Sequence, residues 1–192
     1  CGQDRLPDGR VLPAVPLFSG SGDVASQAAL LGQGIEETAR DMRYAFLRQA
    51  AREAGATLIA TAHTADDNAE TILFHLARGT GLRGLTGIAP VRGDLIRPLL
   101  STRRSEVEEY LRYYGLPWRE DSSNADDAYA RNRIRHQVVP VLEDLFPGFS
   151  TRLAGCAGRL RADEAFLEEQ AEALSAQAQV LPQKLSLPAR LI

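Results

Sequence analysis

The segment TAHTADDNAET, residues 61–71, crowds an imidazole at His63 and three carboxylates at Asp66, Asp67 and Glu70 into one short stretch. Such a set can bind a cation, orient an amine or move a proton. Thr64 is placed to cap a helix that starts here, which puts Asp66 and Asp67 in the first turn, where the helix dipole favours negative charge. Glu70 is harder to account for locally. It lies three and four residues beyond the two aspartates, and like charges at that spacing cost roughly 0.2–0.5 kcal/mol per pair. A cation is therefore expected beside it, either magnesium held by one or two carboxylates and substrate phosphates or an arginine from elsewhere in the chain.

A second set of groups is cationic. ARNRIRHQ, residues 130–137, brings Arg131, Arg133 and Arg135 to the start of a predicted helix, where positive charge opposes the dipole unless an anion offsets it. Phosphates of a nucleotide or of RNA would serve, and DSSN just upstream offers side-chain oxygens to orient the loop. In EETARDMRY, Arg40 and Arg43 are three apart and share one helix face, although two solvated arginines would look the same. The net charge is −3, but it is unevenly spread: residues 78–135 hold eleven basic against eight acidic residues, whereas residues 1–77 hold six against ten. Lys184 is the only lysine, so nearly every cation is a guanidinium, whose planar fork grips phosphate at two points.

The elements that must position these groups follow from periodicity. Residues 1–34 are rich in Pro and Gly and read as loop, with one short strand at 15–18. From Ile35 onward, Ala39, Met42, Phe46 and Ala50 recur at helical spacing until Gly55. TLIATA at 57–62 reads as a strand, and Ala69, Ile72, Leu73 and Leu76 mark the next helix. Helix, strand and helix in quick succession predict a parallel α/β sheet, with His63 at its carboxyl edge, where open sheets bind ligands. GTGLRGLTG at 79–87 is a glycine-rich connection. LIRPLL reads as a strand, followed by a helix over 102–114 with Val107, Tyr110, Leu111 and Tyr114 inward. A further helix over 130–145 turns Ile134, Val138 and Leu142 inward and must tolerate or bend at Pro140. The last long helix, 150–179, has Leu153, Leu160, Leu167 and Leu174 at heptad-like spacing and suits a connector between domains.

Composition narrows the class. At 192 residues and 44% hydrophobic, the chain can form one good core plus an appendage. No run reaches the length of a membrane span and no secretory pattern opens it, so a cytoplasmic location is expected. Cys1 and Cys156 have no partner motif, which argues against disulfide, iron–sulfur and redox chemistry. The first residue is not Met and the last closes an apolar run, so both ends look cut.

Taken in order, EETARDMRY, TAHTADDNAET, RGTGLRGL, RPLL and EDSSNADDAYARNRIRHQVVP resemble the tRNA(Ile)-lysidine synthetases, members of the PP-loop group of ATP pyrophosphatases. The chain departs from that pattern in having Thr64 where a second histidine is common and Asn68 where glutamine is common. The family's nucleotide loop reads Ser-Gly-Gly-x-Asp-Ser after the first strand. LFSGSGDV at 17–24 is only a look-alike, with Ser21 and Val24 at the wrong types and Pro13 and Pro16 disfavouring a buried strand before it. The phosphate loop is thus expected upstream, and the chain to be a fragment that alone is inactive.

The resemblance implies a Rossmann-like, adenine nucleotide alpha hydrolase-like α/β fold: a parallel sheet flanked by helices, truncated at its N-terminus and followed by a long helical connector. It implies a catalytic-domain portion over 1–148, a helical linker over 149–180 and the start of another domain over 181–192. The implied reaction uses ATP and Mg2+ to adenylate the C2 oxygen of the wobble cytidine in a tRNA(Ile) with a CAU anticodon. Free L-lysine then displaces AMP to form lysidine. His63, Asp66 and Asp67 would be catalytic, with the two aspartates serving metal and nucleotide or orienting the lysine amine. Arg40, Arg43, Glu70, Arg78, Arg83, Asn124, Arg131, Asn132, Arg133 and Arg135 would contact substrate, with RGTGLRGL a flexible substrate-facing loop. Acids and arginines would face each other across a gap sized for a nucleoside. Homodimerisation stays open, as do two rivals: a related PP-loop tRNA thiolase, disfavoured by the lack of paired cysteines, and a non-catalytic tRNA-binding module.

Overall fold

A computed structural model describes residues 9, 11, 15–119 and 130–177, with the backbone of 179–181 and 184–186. The chain falls into two units, the first formed from Cys1–Ala62, Pro90–Pro98 and Ser105–Arg119, the second from His63–Ala89, Leu99–Arg104 and Glu120–Ile192.

The first unit opens with an element the sequence reading missed. Residues 15–18 form no strand, and helix α1 spans Val24–Leu31. Asp23 caps it, its carboxylate accepting the Ser26 N–H at 3.1 Å and the Ser26 hydroxyl at 2.6 Å, and Gly32 ends it at φ +64°. The glycines of SGSGD have a packing reason: a Cβ at Gly20 would strike the Phe46 ring, and one at Gly22 the Met42 side chain. Both partners lie on α2, Ile35–Glu53, which has Glu36 and Glu37 in its first turn, Arg52 in its last, and Gly55 beyond its end at φ +66°.

Strand β1, Ile59–Ala60, pairs in parallel with β3, Leu95–Ile96, which pairs antiparallel with β2, Val91–Arg92. The order is β1-β3-β2, so the small sheet is mixed rather than wholly parallel. Gly93, at φ +60°, makes the two-residue hairpin turn with Asp94. Pro98 limits the predicted LIRPLL strand, since it has no N–H for a ladder. Arg48 on α2 grips Asp94 with two bonds, 2.8 and 3.2 Å, fastening helix to hairpin. Helix α5, Arg104–Tyr113, half-buries Val107, Leu111 and Tyr114, but Tyr110 is exposed, packed against the Tyr114 ring at 4.5 Å instead of entering the core.

The second unit holds α3 (Ala65–Ala77), α4 (Leu82–Leu85), α6 (Ala130–Arg133), α7 (Val139–Leu145) and α8 (Phe149–Ala176), then a β4–β5 hairpin, Gln179–Leu181 with Lys184–Ser186. Its core includes Ile72 and Val139, and where α3 meets α8 the fully buried side chains are small, Ala65 and Ala69 of α3 and Ala157 of α8, which lets these two helices pack closely. Between α6 and α7, residues Ile134–Val138 form a π-helical turn, with the Val139 N–H bonding the Ile134 carbonyl five residues back. A π turn inserts one residue into the helical count. The inward position therefore moves from Val138, which is exposed, to Val139, which is buried, while Pro140 fits the first turn of α7. On α8, Leu153 and Leu160 are half-buried but Leu167 and Leu174 are exposed, so the heptad stripe is covered only along the first half.

Candidate functional site

The site is built on the N-terminus of α3. Thr64 and Asp67 form a reciprocal capping box: the Asp67 carboxylate accepts the Thr64 N–H at 2.8 Å and its hydroxyl at 2.9 Å, and the Asp67 N–H reaches back to the Thr64 hydroxyl at 3.4 Å. Asp66 accepts the N–H of Arg104, also in the second unit, at 2.7 Å. Both aspartates thus have structural duties, and that of Asp67 is the one its position in the first turn predicts.

Glu70 does not follow from helix chemistry, and its surroundings explain why it is there. It is 2% exposed, and both its oxygens are held by Arg135, Nε at 2.6 Å and Nη2 at 2.9 Å, a bidentate fork. The same Nη2 lies 3.3 Å from Asp67 Oδ1. Arg131 stands 3.6 Å from Glu70 Oε2 and donates to the Thr71 hydroxyl at 2.5 Å. Burial pushes the Glu70 carboxyl above its ordinary range, against the pull of Arg135 and Arg131, while the bond to Glu70 holds the Arg135 guanidinium more firmly charged. Arginine, one of the two cations expected beside Glu70, takes that place. The acids and arginines meet directly rather than across a nucleoside-sized gap. Among the described residues no three His, Cys, Asp or Glu groups gather to hold a metal ion, and both oxygens of Glu70 are taken up by Arg135.

Thr64, Asp66, Asp67, Glu70, Arg135 and Glu143 line a cavity of about 250 Å³. That volume is just below the roughly 300–1,000 Å³ usual for small-molecule sites. Glu143 escaped the sequence reading. Its carboxylate accepts three backbone N–H groups at the start of α8, Ser150 at 2.8 Å, Gly148 at 2.9 Å and Phe149 at 3.2 Å. Burial works to raise it, but these donors prevail and hold it below the ordinary carboxylate range. An acid shortly before a Pro-Gly stop was the available signal.

The remaining candidates lie elsewhere. His63 is half-buried just before the cap and is not part of the cavity lining. Arg133 is exposed on α6 and Asn132 is half-buried. Arg40 and Arg43 are exposed on α2 in the first unit, Arg40 over the Tyr44 ring. Arg78 ends α3, its guanidinium 5.2 Å from the Phe74 ring centre. Asn124 is outside the described residues.

The glycine-rich connection is not wholly irregular. It carries the helical turn α4, and His75 Nδ1 lies 3.0 Å from the Gly84 carbonyl. Asn68, 1% exposed, accepts the Ile88 N–H at 2.7 Å. Arg83 stays 87% exposed, with Glu164 of α8 4.0 Å away.

Comparison with known proteins places these features in context. A family model described as a PP-loop domain matches residues 12–142. A tRNA(Ile)-lysidine synthase of Thermus thermophilus is 46% identical over 158 residues, 82% of this chain and 31% of that protein. Its counterpart from Geobacter sulfurreducens is 45% identical over 161 residues, 83% and 34% of the two chains. That of Chlorobaculum tepidum is 48% identical over 124 residues, 65% and 38%. The chain thus spans about a third of the length of the curated relatives it matches. Among solved structures, the U34-tRNA thiolase NcsA from Methanococcus maripaludis, with its 4Fe–4S cluster, superposes at a TM-score of 0.51 and 18% identity over 64% of this chain and 42% of that one. At that identity the likeness concerns the fold, a Rossmann-like α/β arrangement of a small sheet flanked by helices. No helix among the described residues is long and apolar enough to cross a membrane.

Proposed function

This chain belongs to the PP-loop domain family, and from that premise we propose that it is part of a tRNA(Ile)-lysidine synthase. In the proposed reaction the C2 oxygen of the wobble cytidine of tRNA(Ile) attacks the α-phosphorus of ATP, the α–β phosphoanhydride bond breaks and pyrophosphate leaves; the amine of free lysine then attacks C2, loses a proton, and AMP leaves with the C2 oxygen. The observation that supports this reading best is the 45–46% identity to enzymes of that name over more than four fifths of the chain. The chemistry of the second unit is compatible with it. Adenylation and the departure of AMP both place negative charge on phosphate oxygens, and guanidinium groups fixed beforehand stabilise such charge without reorganising. Arg135 is fixed by Glu70 and Asp67, and Arg131 by Thr71 and Glu70.

Within this reading Asp67, which lines the cavity and has Oδ1 3.3 Å from Arg135, accepts a hydrogen bond from the incoming amine. His63 stands near it in the chain as a polar neighbour. Arg133, exposed at the end of α6, suits an RNA phosphate. Arg40 and Arg43 are proposed to meet phosphate or substrate from the first unit. ATP is the co-substrate, and magnesium is proposed only as the ion that accompanies its phosphates, with no step assigned to it.

The test uses the product of the complete reading frame that contains these residues. Incubated with ATP, labelled lysine and a tRNA(Ile) transcript with a CAU anticodon, it is expected to attach label to tRNA and release AMP. Absence of label in tRNA, with the protein folded and ATP present, overturns the proposal.

A further inference from the structure

Arg161 and Glu164 are three apart on α8 and so share one side of that helix. Their partners lie more than seventy residues earlier. The Arg161 Nη2 donates to the Thr86 carbonyl at 2.6 Å and to the Ile88 carbonyl at 3.2 Å. From the opposite side, Asn68 of α3 accepts the Ile88 N–H, and a Cβ at Gly87, which sits at φ +66°, would run into Asn68 Oδ1 and Ile72. The end of the glycine-rich connection is therefore held by both helices within residues 86–88, α8 acting on Thr86 and Ile88 and α3 on Gly87 and Ile88. The grip is strong in kind: a guanidinium is always charged and presents its donors in a fixed fork. What the connection offers to solvent is the Arg83 guanidinium, with Glu164 4.0 Å away.

We propose that Arg161 is a positioning residue that fixes the pose of the 79–87 connection through its backbone, so that Arg83 is held out to meet an RNA phosphate. The proposal rests on the reading of the chain as a tRNA-modifying enzyme. Arg161 itself acts on carbonyl oxygens and not on the RNA. Loosening it frees the connection while leaving the acids at the start of α3 where they are.

Arg161→Gln and Arg161→Lys variants of the complete protein test this by three readouts: backbone amide exchange, equilibrium affinity for a tRNA(Ile) transcript, and steady-state lysine incorporation. In Arg161→Gln, exchange at residues 86–88 is expected to quicken about tenfold or more while amides 68–72 of α3 keep their protection. The Kd and KM for tRNA are expected to rise about five- to tenfold, with KM for ATP and for lysine unchanged, in line with the loss of one charge-assisted anchor. Arg161→Lys, which keeps a cation for the two carbonyls, is expected to restore most of both. Unchanged exchange at 86–88, or faster exchange with unchanged tRNA affinity, overturns the proposal. If the parent protein incorporates no lysine, the enzyme reading fails on its own, and the exchange and affinity measurements still decide the role of Arg161.

Discussion

Arg135 closes a two-pronged ion pair on Glu70, a residue sixty-five positions earlier that is almost wholly removed from solvent. The pair joins the two clusters that carry the chemistry, the acids opening α3 and the arginines of α6 and the π turn. It also determines how each of them responds to mutation.

Arg135→Gln removes the main cation opposing the burial of Glu70. An unpaired buried carboxylate is costly, and with Arg135 about a quarter exposed the expected loss is about 2–3 kcal/mol at pH 8, below the 3–5 typical of fully buried pairs. The pH dependence has a definite sign. With the guanidinium gone the folded-state pKa of Glu70 rises further above its unfolded value, so the folded form binds more protons between the two values and stability falls as pH rises through that window. Urea titrations of the variant at pH 5 and pH 8 are expected to show the smaller deficit at pH 5.

Glu143 behaves in the opposite sense. Its folded-state carboxyl lies below the ordinary value because three backbone donors favour the charged form. The stability it contributes is complete above the unfolded pKa and is lost as pH falls through the folded one. Glu143→Gln is expected to cost about 1–2 kcal/mol at pH 7, the usual worth of charge-assisted bonds at a helix start, and to flatten the acid limb of the stability curve below about pH 4.5. An equal cost at pH 3 and pH 7 would remove the charge from its role.

The arginines of residues 131–135 are expected to separate in RNA binding. Arg133 is exposed, whereas Arg135 is engaged by Glu70 and Asp67. Arg133→Ala is expected to lower the slope of log affinity against log salt by about 0.7–0.9, one phosphate contact, as measured by filter binding to a tRNA transcript. Arg135→Gln is expected to leave that slope unchanged.

Local features were legible in the residues and distant ones were not. The capping box at Thr64 and Asp67 involves neighbours only, so residue type and spacing announced it. Glu70 announced a conflict, a third like charge on one helix face, and hence a cation, but its partner depends on how α6 folds back. Helix α1 was hidden by the Pro and Gly around it, although Asp23 and Ser26 formed a readable cap. The π turn shifted the buried face from Val138 to Val139 by an inserted residue that no hydrophobic period reveals. Arg161 sat on a helix like any solvated arginine, because its two acceptors are backbone carbonyls and carry no side-chain signature.

Asp67 offers the most direct test, because its capping duty and its proposed chemical duty can be separated. Asp67→Asn keeps an oxygen for the Thr64 N–H and removes the charge, so stability is expected to fall by no more than about 1 kcal/mol. In the complete protein, ATP-dependent attachment of labelled lysine to tRNA(Ile) is expected to fall by about two orders of magnitude or more, the scale of losing a group that acts on the reacting atoms. A variant that folds as the parent does and incorporates lysine at the parent's rate would contradict the assignment of this acidic pocket to the chemistry.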